Sequence, residues 1–263
     1  MLEACGGGSS LLLMMGREAT EAPGAVGQPL FATTHWSVVL AAANEETPEA
    51  AAALERLCRT YWYPLYAYVR REGHNPEDAQ DLTQAFFAHL LAGNSFARVA
   101  PHKGKFRSFL LAALRHFVSD QRDRQRAVKR GGGVEVLSLD AEEAEGRYRL
   151  EPIERLDAEK IYERRWALSL LGQAWTRLRE ECAARGSLDQ FDRLGEFVAG
   201  DAEVTCVEAA SELGLTESAM RSAVHRLREG YRALVREEIA RTVSDPGEID
   251  EEIQYLIRVI RQS

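Results

Sequence analysis

Hydrophobic and polar positions alternate with a helical period along most of this chain. Apolar side chains recur every three or four residues in the segments 48–91, 106–130 and 159–243, a spacing that places them on one face of an α-helix. Alternation with a period of two, which would indicate half-buried strands, does not extend over any comparable length. The pattern therefore predicts an all-α protein.

Local residues mark where one of these helices begins. Asn75 is a typical N-cap, Pro76 suits the first helical position, and Glu77 and Asp78 are acids in the first turn. The helix is predicted to continue to Leu91. Its predicted inner face is Ala79, Leu82, Phe86 and Leu90, and its outer face carries Asp78, Asp81 and Gln84.

A long basic helix is predicted from Phe106 to about Arg130, where Gly131–Gly133 end it. The segment 103–130 holds nine Lys and Arg against two Asp, a net charge of +7. A helix whose apolar stripe fades into basic residues suits contact with a nucleic-acid backbone, although a solvated helix end has the same pattern. Its predicted outer face is Arg107, Arg115, Ser119, Arg122 and Arg126.

An acidic segment follows the basic helix. Residues 135–163 hold ten acids against four bases, a net charge of −6, and show little helical periodicity up to about 157. We interpret this stretch as a flexible linker between two small helical domains. The predicted organisation is a disordered tail (1–30), a first domain (31–130), a linker (131–158), a second domain (159–243) and an amphipathic C-terminal helix (244–263).

The segment 205–234 predicts a helix-turn-helix. Thr205 and Thr216 are plausible caps, and Gly214 supplies the turn between the helices. In the second helix the predicted inner face is Met220, Val224, Leu227, Tyr231 and Leu234, and the opposite face carries Ser218, Arg221, Ser222, His225 and Arg228. Such a face fits a helix that enters the major groove. The alternative is an αα-hairpin with a solvated outer face.

Charge and cysteine content narrow the class of protein. A formal net charge of −8 over 263 residues argues against a protein that coats nucleic acid generally. The four cysteines lack CxxC spacing and are expected to be free thiols of a reducing, cytoplasmic compartment. No membrane insertion is expected, because no apolar run is long enough.

His74, Asp78, Asp81 and His89 could be taken for metal ligands, but their spacing spreads them over different faces, so we expect neither metal, cofactor nor enzymatic activity.

Three motifs in this order resemble the sigma-70 family of bacterial RNA polymerase sigma factors, and within it the compact extracytoplasmic-function (ECF) group. They are NPEDAQDLTQAFFAHLL at 75–91, FRSFLLAALRHFVSD at 106–120 and EAASELGLTESAMRSAVHRLR at 208–228. The resemblance covers about 50–130 and 160–243. It implies a first domain like sigma region 2, a second like sigma region 4, and a factor that directs promoter-specific transcription initiation.

The resemblance also implies roles for individual residues. Asp78, Asp81 and Gln84 match the face that binds the β′ clamp helices of the polymerase core, although Ala85 stands where relatives often have an acid. Region 4 of the family also meets the β flap. Residues expected to recognise and melt the minus-ten element are Arg115, His116, Ser119, Arg122, Asp123 and Arg126. For the minus-thirty-five element, Ser218, Arg221, Ser222 and His225 are expected at base edges, with Arg226 and Arg228 nearer phosphates.

Two alternatives stay open from the sequence. A conventional helix-turn-helix regulator would explain 204–236 but would leave the basic helix and the Asp/Gln face unused. The apolar stripe of the C-terminal helix, which includes Ile249, Ile253 and Ile257, either packs on the second domain or serves as a regulatory latch or a site for a partner. Control by an anti-sigma factor is common in the family, but the chain does not identify one.

Overall fold

A computed structural model describes residues 48–91, 105–127, 141–149, 156–199, 210–211 and 214–261. All regular secondary structure within these ranges is helical, which confirms the all-α prediction. The predictions for the tail 1–30, for Gly131–Gly133 and for the cap Thr205 lie outside the described residues. The helices are α1 (Pro48–Arg71), α2 (Pro76–Leu91), α3 (Phe106–Ala127), α4 (Ala141–Arg149), α5 (Ala158–Ala184), α6 (Leu188–Ala199), α7 (Glu217–Ala240) and α8 (Ile249–Arg261), with a short 3-10 helix at Pro246–Glu248.

The described residues divide into two compact units. The first unit contains α1 to α4, the start of α5 as far as Ser169, and Ala240–Glu248. The second unit contains Leu170–Ile239 and the chain from Ile249 onward. Within the segment predicted to be a linker, Ala141–Arg149 is helical, which the sequence pattern did not indicate. The predicted domain limits themselves stay predictions.

Aromatic side chains of α1 form much of the core of the first unit. Tyr61, which is 0% exposed, meets the ring of Phe106 with centroids 5.4 Å apart. Trp62 stacks on Tyr66 with centroids 5.3 Å apart and planes 7° apart. These rings therefore stabilise the fold by burial. The helical period predicted for 48–91 is confirmed in α1 by the buried side chains Leu57, Tyr61, Leu65 and Val69.

The second unit is built around the packing of α7 on α5 and α6. The ring of Trp175 lies 4.8 Å from that of Phe191 and 5.6 Å from that of Tyr231, centroid to centroid. The buried Tyr231 hydroxyl donates to the Leu171 carbonyl at 3.1 Å, and burial raises the pKa of this phenol. On α8, the buried apolar positions are Leu256, Ile257 and Ile260. The predicted stripe of α8 is therefore a packed face, with Ile249 and Ile253 half-buried at its edge.

Predicted helix starts are confirmed by hydrogen bonds. The Asp78 N–H donates to Asn75 Oδ1 at 2.7 Å, so Asn75 caps α2 as expected. The preceding helix α1 ends with the Gly73 N–H donating to the Arg70 carbonyl and the His74 N–H donating to the Val69 carbonyl. Gly73 has a φ of 94°, the left-handed conformation that this type of helix end requires.

The prediction for Arg107 was wrong. It was expected on the outer face of α3, but it is 5% exposed. The start of α5 covers this position: Arg107 Nη1 donates to Glu163 Oε1 at 3.3 Å, and its guanidinium lies 5.0 Å from the centroid of the Trp166 ring. A long-range contact thus overrides the outward position that the helical period assigns.

In α2 the inner face also differs slightly from the prediction, because Leu82 is half-buried whereas Thr83 and Phe87 are buried.

Candidate nucleic-acid and partner-binding surfaces

Two backbone hydrogen bonds close the turn that precedes α7. The Leu215 N–H donates to the Ala210 carbonyl at 2.8 Å and the Gly214 N–H donates to the Ser211 carbonyl at 3.2 Å. This pair of bonds is the Schellman arrangement of a helix C-terminus. Gly214 has a φ of 63°, which is strained for any residue with a side chain. The Ala219 N–H then donates to Thr216 Oγ1 at 3.2 Å, so Thr216 caps α7 as predicted.

Helix α7 separates an apolar face from a polar one as predicted. The apolar positions Met220, Val224, Leu227, Tyr231 and Leu234 are all buried. On the opposite face the exposed side chains are Ser218, Arg221, Ser222, His225 and Arg226. Arg228 differs from them, because it is half-buried and donates from Nη2 to the Phe197 carbonyl at 2.7 Å. It therefore stands at the edge of the polar face, beside the end of α6.

Arg221 is a strongly exposed cation of this face. Its side chain is 71% exposed and pairs with Glu217 one turn earlier on the same helix, itself 45% exposed. Exposed pairs between i and i+4 contribute little to stability, about 0.3–0.5 kcal/mol. The Arg221 guanidinium is consequently available for other acceptors at small cost.

A pocket that the sequence did not predict lies beside α7 in the second unit. It has a volume of about 240 Å³, and its apolar lining includes Leu178, Cys182, Phe191 and Leu227. Arg226 of the polar face also lines it. Cys182 is a buried free thiol, and Arg185 Nη2 lies 3.5 Å from its sulfur. Periodicity predicts which side chains face inward, but not where two helices leave a gap.

The predicted polymerase-binding residues lie along one side of α2. Asp78 and Asp81 are exposed, whereas Gln84 is half-buried. Asp78 also accepts a hydrogen bond from Asn75 Nδ2 at 2.8 Å, in return for the bond from its own N–H to Asn75. Its carboxylate therefore contributes to the helix cap, while Asp81 has no such task among the described contacts.

The predicted minus-ten residues are partly exposed on α3. Arg115, His116, Ser119 and Arg122 are exposed, and the side chains of Asp123 and Arg126 lie outside the described part. The half-buried His74 has a lowered pKa, first because burial disfavours its charged form and then because Arg122 repels a second positive charge.

Acidic side chains from α4 and α5 pair with arginines of the first unit. Arg70 binds Glu145 through two bonds of 2.9 Å, from Nε and from Nη2, and the Tyr66 hydroxyl donates to the same carboxylate at 2.8 Å. The bonds from Arg70 hold the pKa of Glu145 below its usual range. Arg107 pairs with Glu163, as described above, and Arg115 pairs with Glu159. The acidic segment thus folds back on basic residues, which the sequence pattern did not indicate.

His74, Asp78, Asp81 and His89, whose residue types suit metal ligands, do not belong to a metal-binding group in the described ranges. In the described ranges, no group of three or more His, Cys, Asp or Glu side chains is arranged to hold a metal ion. Nor does any helix in those ranges have the length and apolar character needed to cross a membrane.

Comparisons of this chain with protein-family models, with curated proteins and with solved structures found no match. A function for the chain therefore has to rest on the motifs and on the surfaces of α2, α3 and α7.

Proposed function

We propose that this protein is a bacterial RNA polymerase sigma factor of the ECF group, which binds the polymerase core and directs initiation at specific promoters. The observation that carries the proposal is the exposed face of α7. It follows a turn with Gly214 in the left-handed conformation and a cap at Thr216, and it carries small polar and basic side chains. A helix of this kind at the second position of a helix-turn-helix fits the major groove.

On this proposal α7 recognises the minus-thirty-five element. Ser218, Arg221, Ser222 and His225 project from the exposed face where base edges would lie. Arginine can bind guanine through two hydrogen bonds, so Arg221 is the residue expected to discriminate most strongly. Arg226 and Arg228 would lie nearer phosphates, which position the helix without reading sequence.

The first unit would supply the other two contacts. The exposed Asp81, with Asp78 and Gln84, would bind the β′ clamp helices. The second domain, the counterpart of sigma region 4, would meet the β flap. Arg115, His116, Ser119 and Arg122 on α3 would contact the minus-ten element and its melted strand. Capture of unpaired bases beside a basic helix favours strand opening without nucleotide hydrolysis by the factor itself. Docking on one polymerase would let both DNA-binding surfaces act together, so that two weak contacts give tight promoter binding.

Association with core polymerase tests this proposal directly. We expect the full chain to co-purify with core enzyme and to support run-off transcription from genomic fragments. Asp81→Arg reverses the charge of an exposed residue on α2 and should abolish both. Glu180→Arg, an exposed acid on α5, is the matched control and should leave both unchanged.

A conventional helix-turn-helix regulator is the competing function, since α7 would serve it equally well. Sequence-specific DNA binding by a chain that never associates with β′ would establish that alternative and refute the sigma-factor proposal.

A further inference from the structure

Arg115 of α3 is held in a fixed orientation by α1. Its Nε donates to the Tyr68 hydroxyl at 3.0 Å, and its guanidinium lies 5.7 Å from the centroid of the same ring. Tyr68 is 6% exposed, so the phenol is itself fixed by packing. A guanidinium oriented in advance loses less conformational entropy when it binds an anion. The Nη2 group of Arg115 donates a hydrogen bond to the carboxylate of Glu159.

Glu159 is placed where an anion is favoured for a second reason. It lies in the first turn of α5, whose start is capped by Asp157: the Lys160 N–H donates to Asp157 Oδ1 at 2.8 Å. The N-terminus of a long helix carries partial positive charge and attracts negative groups. The helix end and Arg115 therefore both favour negative charge at the same place.

The pair is also exposed, unlike the pairs of Arg70 with Glu145 and of Arg107 with Glu163. The side chains of Arg115 and Glu159 are 44% and 60% exposed, whereas those of Arg70 and Glu145 are 16% and 13% exposed and that of Arg107 is 6% exposed. Exposed ion pairs contribute little net free energy. An incoming anion can therefore replace Glu159 at Arg115 at small cost, while the other two pairs are held within the fold.

We propose that Arg115, oriented by Tyr68, binds a backbone phosphate of nucleic acid, and that Glu159 occupies this site until nucleic acid displaces it. Tyr68 is then a positioning residue and Glu159 an intramolecular competitor. The inference rests on the proposed function in that nucleic acid is the ligand. It concerns the free chain, however, and can be tested without polymerase.

Fluorescence anisotropy with a labelled single-stranded oligonucleotide tests the site on the full-length chain over a series of salt concentrations. Glu159→Gln should tighten binding about 2- to 5-fold, because the competing charge of an exposed pair is gone. Arg115→Gln should weaken binding and reduce the salt slope by about 0.7, the value for one lost phosphate contact on a single strand. Combining Glu159→Gln with Arg115→Gln should remove the gain.

The control for overall charge is Glu55→Gln. Glu55 is 55% exposed and pairs with Arg59 on the same helix, so its replacement changes net charge by the same amount at another place. Tyr68→Phe keeps the ring and removes the hydroxyl. It should weaken binding about 2- to 5-fold in the otherwise unchanged chain and have no effect in the Arg115→Gln background.

Three results would overturn the inference: an effect of Glu159→Gln no larger than that of Glu55→Gln, a gain that persists without Arg115, or no measurable binding by the Glu159→Gln chain at low salt. Co-purification of the same variants with core polymerase is scored separately. Failure at Arg115 and failure of the sigma-factor proposal can therefore be told apart.

Discussion

Helices α3 and α7 both present basic side chains, but those side chains have different partners. On α7, Arg221 pairs with Glu217 four residues away on its own helix and is 71% exposed. On α3, Arg107 and Arg115 pair with Glu163 and Glu159, which are 56 and 44 residues away in the chain. One basic face is therefore open, whereas the other is partly neutralised by a distant acidic segment.

The difference shows that net charge along a sequence does not measure the charge that a partner meets. Both faces would look similar if only Lys and Arg were counted. Burial then divides the arginines of α3 into two kinds: Arg107 supports the fold, while Arg115 is exposed enough to exchange partners.

The largest effect is expected for Arg107→Ala. The substitution removes a buried guanidinium from Trp166 and leaves the half-buried Glu163 without its partner. Loss of one member of a buried pair leaves an uncompensated charge, so the free energy of unfolding should fall by about 2–4 kcal/mol. Urea denaturation followed by circular dichroism measures this change.

Arg221→Ala is the matched control for that experiment, because it removes an arginine from an exposed position. Its effect on unfolding should stay within about 0.5 kcal/mol, as is usual for surface substitutions. Equal losses for the two variants would contradict the distinction between a supporting and an available arginine.

The pair of Arg70 and Glu145 should make stability depend on pH. Glu145→Gln keeps the shape but removes the charge that accepts bonds from Arg70 and Tyr66, so we expect a loss of about 1–3 kcal/mol at pH 7. Since the folded-state pKa of Glu145 is lowered, its stabilising effect is complete above the ordinary carboxyl pKa. It is lost as the pH falls through the lowered folded-state value.

The unchanged protein and the Glu145→Gln variant should therefore converge in free energy of unfolding as the pH is lowered below about 4, the ordinary range of a glutamate pKa. Urea midpoints measured from neutral to acid pH show whether they do. A constant difference across that range would mean that the ion pair contributes nothing and that the substitution acts through packing. Glu55→Gln, at an exposed pair, should change the free energy of unfolding at pH 7 by no more than about 0.5 kcal/mol.

Much of the fold could be predicted because its signals are local. The helical period identified the buried face of α7, and the caps Asn75 and Thr216 act as their residue types suggest. Gly214 was placed in a turn because a glycine between two periodic segments commonly adopts a positive φ. The exposed residues of the proposed DNA-reading face follow from the same period.

The pairing of acids with arginines could not be predicted in the same way. Glu145 and Arg70 are 75 residues apart, and the helical period carries no information on which distant surfaces meet. The acidic segment accordingly looked like a solvated linker, and Arg107 was assigned outward. Helix α4 has nine residues and contains Gly146. Because a helix that short is marginal alone, it depends on contacts such as the one from Glu145.

Arg221→Ala should affect DNA recognition, whereas Arg107→Ala should affect folding stability. If Arg221 binds a guanine through two hydrogen bonds, its loss should cost about 1–2 kcal/mol of discrimination at one upstream base pair. Binding to the other positions should change little. Selection from a randomised promoter library by polymerase loaded with each variant measures base preference position by position. Uniform weakening at all positions would instead indicate that Arg221 contacts a phosphate.

The smallest effect is expected for Glu217→Gln, the counterpart on α7 of Glu159→Gln. Glu217 is the acid paired with Arg221, and it also lies in the first turn of α7, where negative charge is favoured. Its removal should lower the free energy of unfolding by about 0.3 kcal/mol. Oligonucleotide affinity should rise less than twofold, because Arg221 is already exposed and a partner on the same helix hardly covers it. A gain as large as that for Glu159→Gln would mean that both basic faces are restrained alike, and the contrast between α3 and α7 would fail.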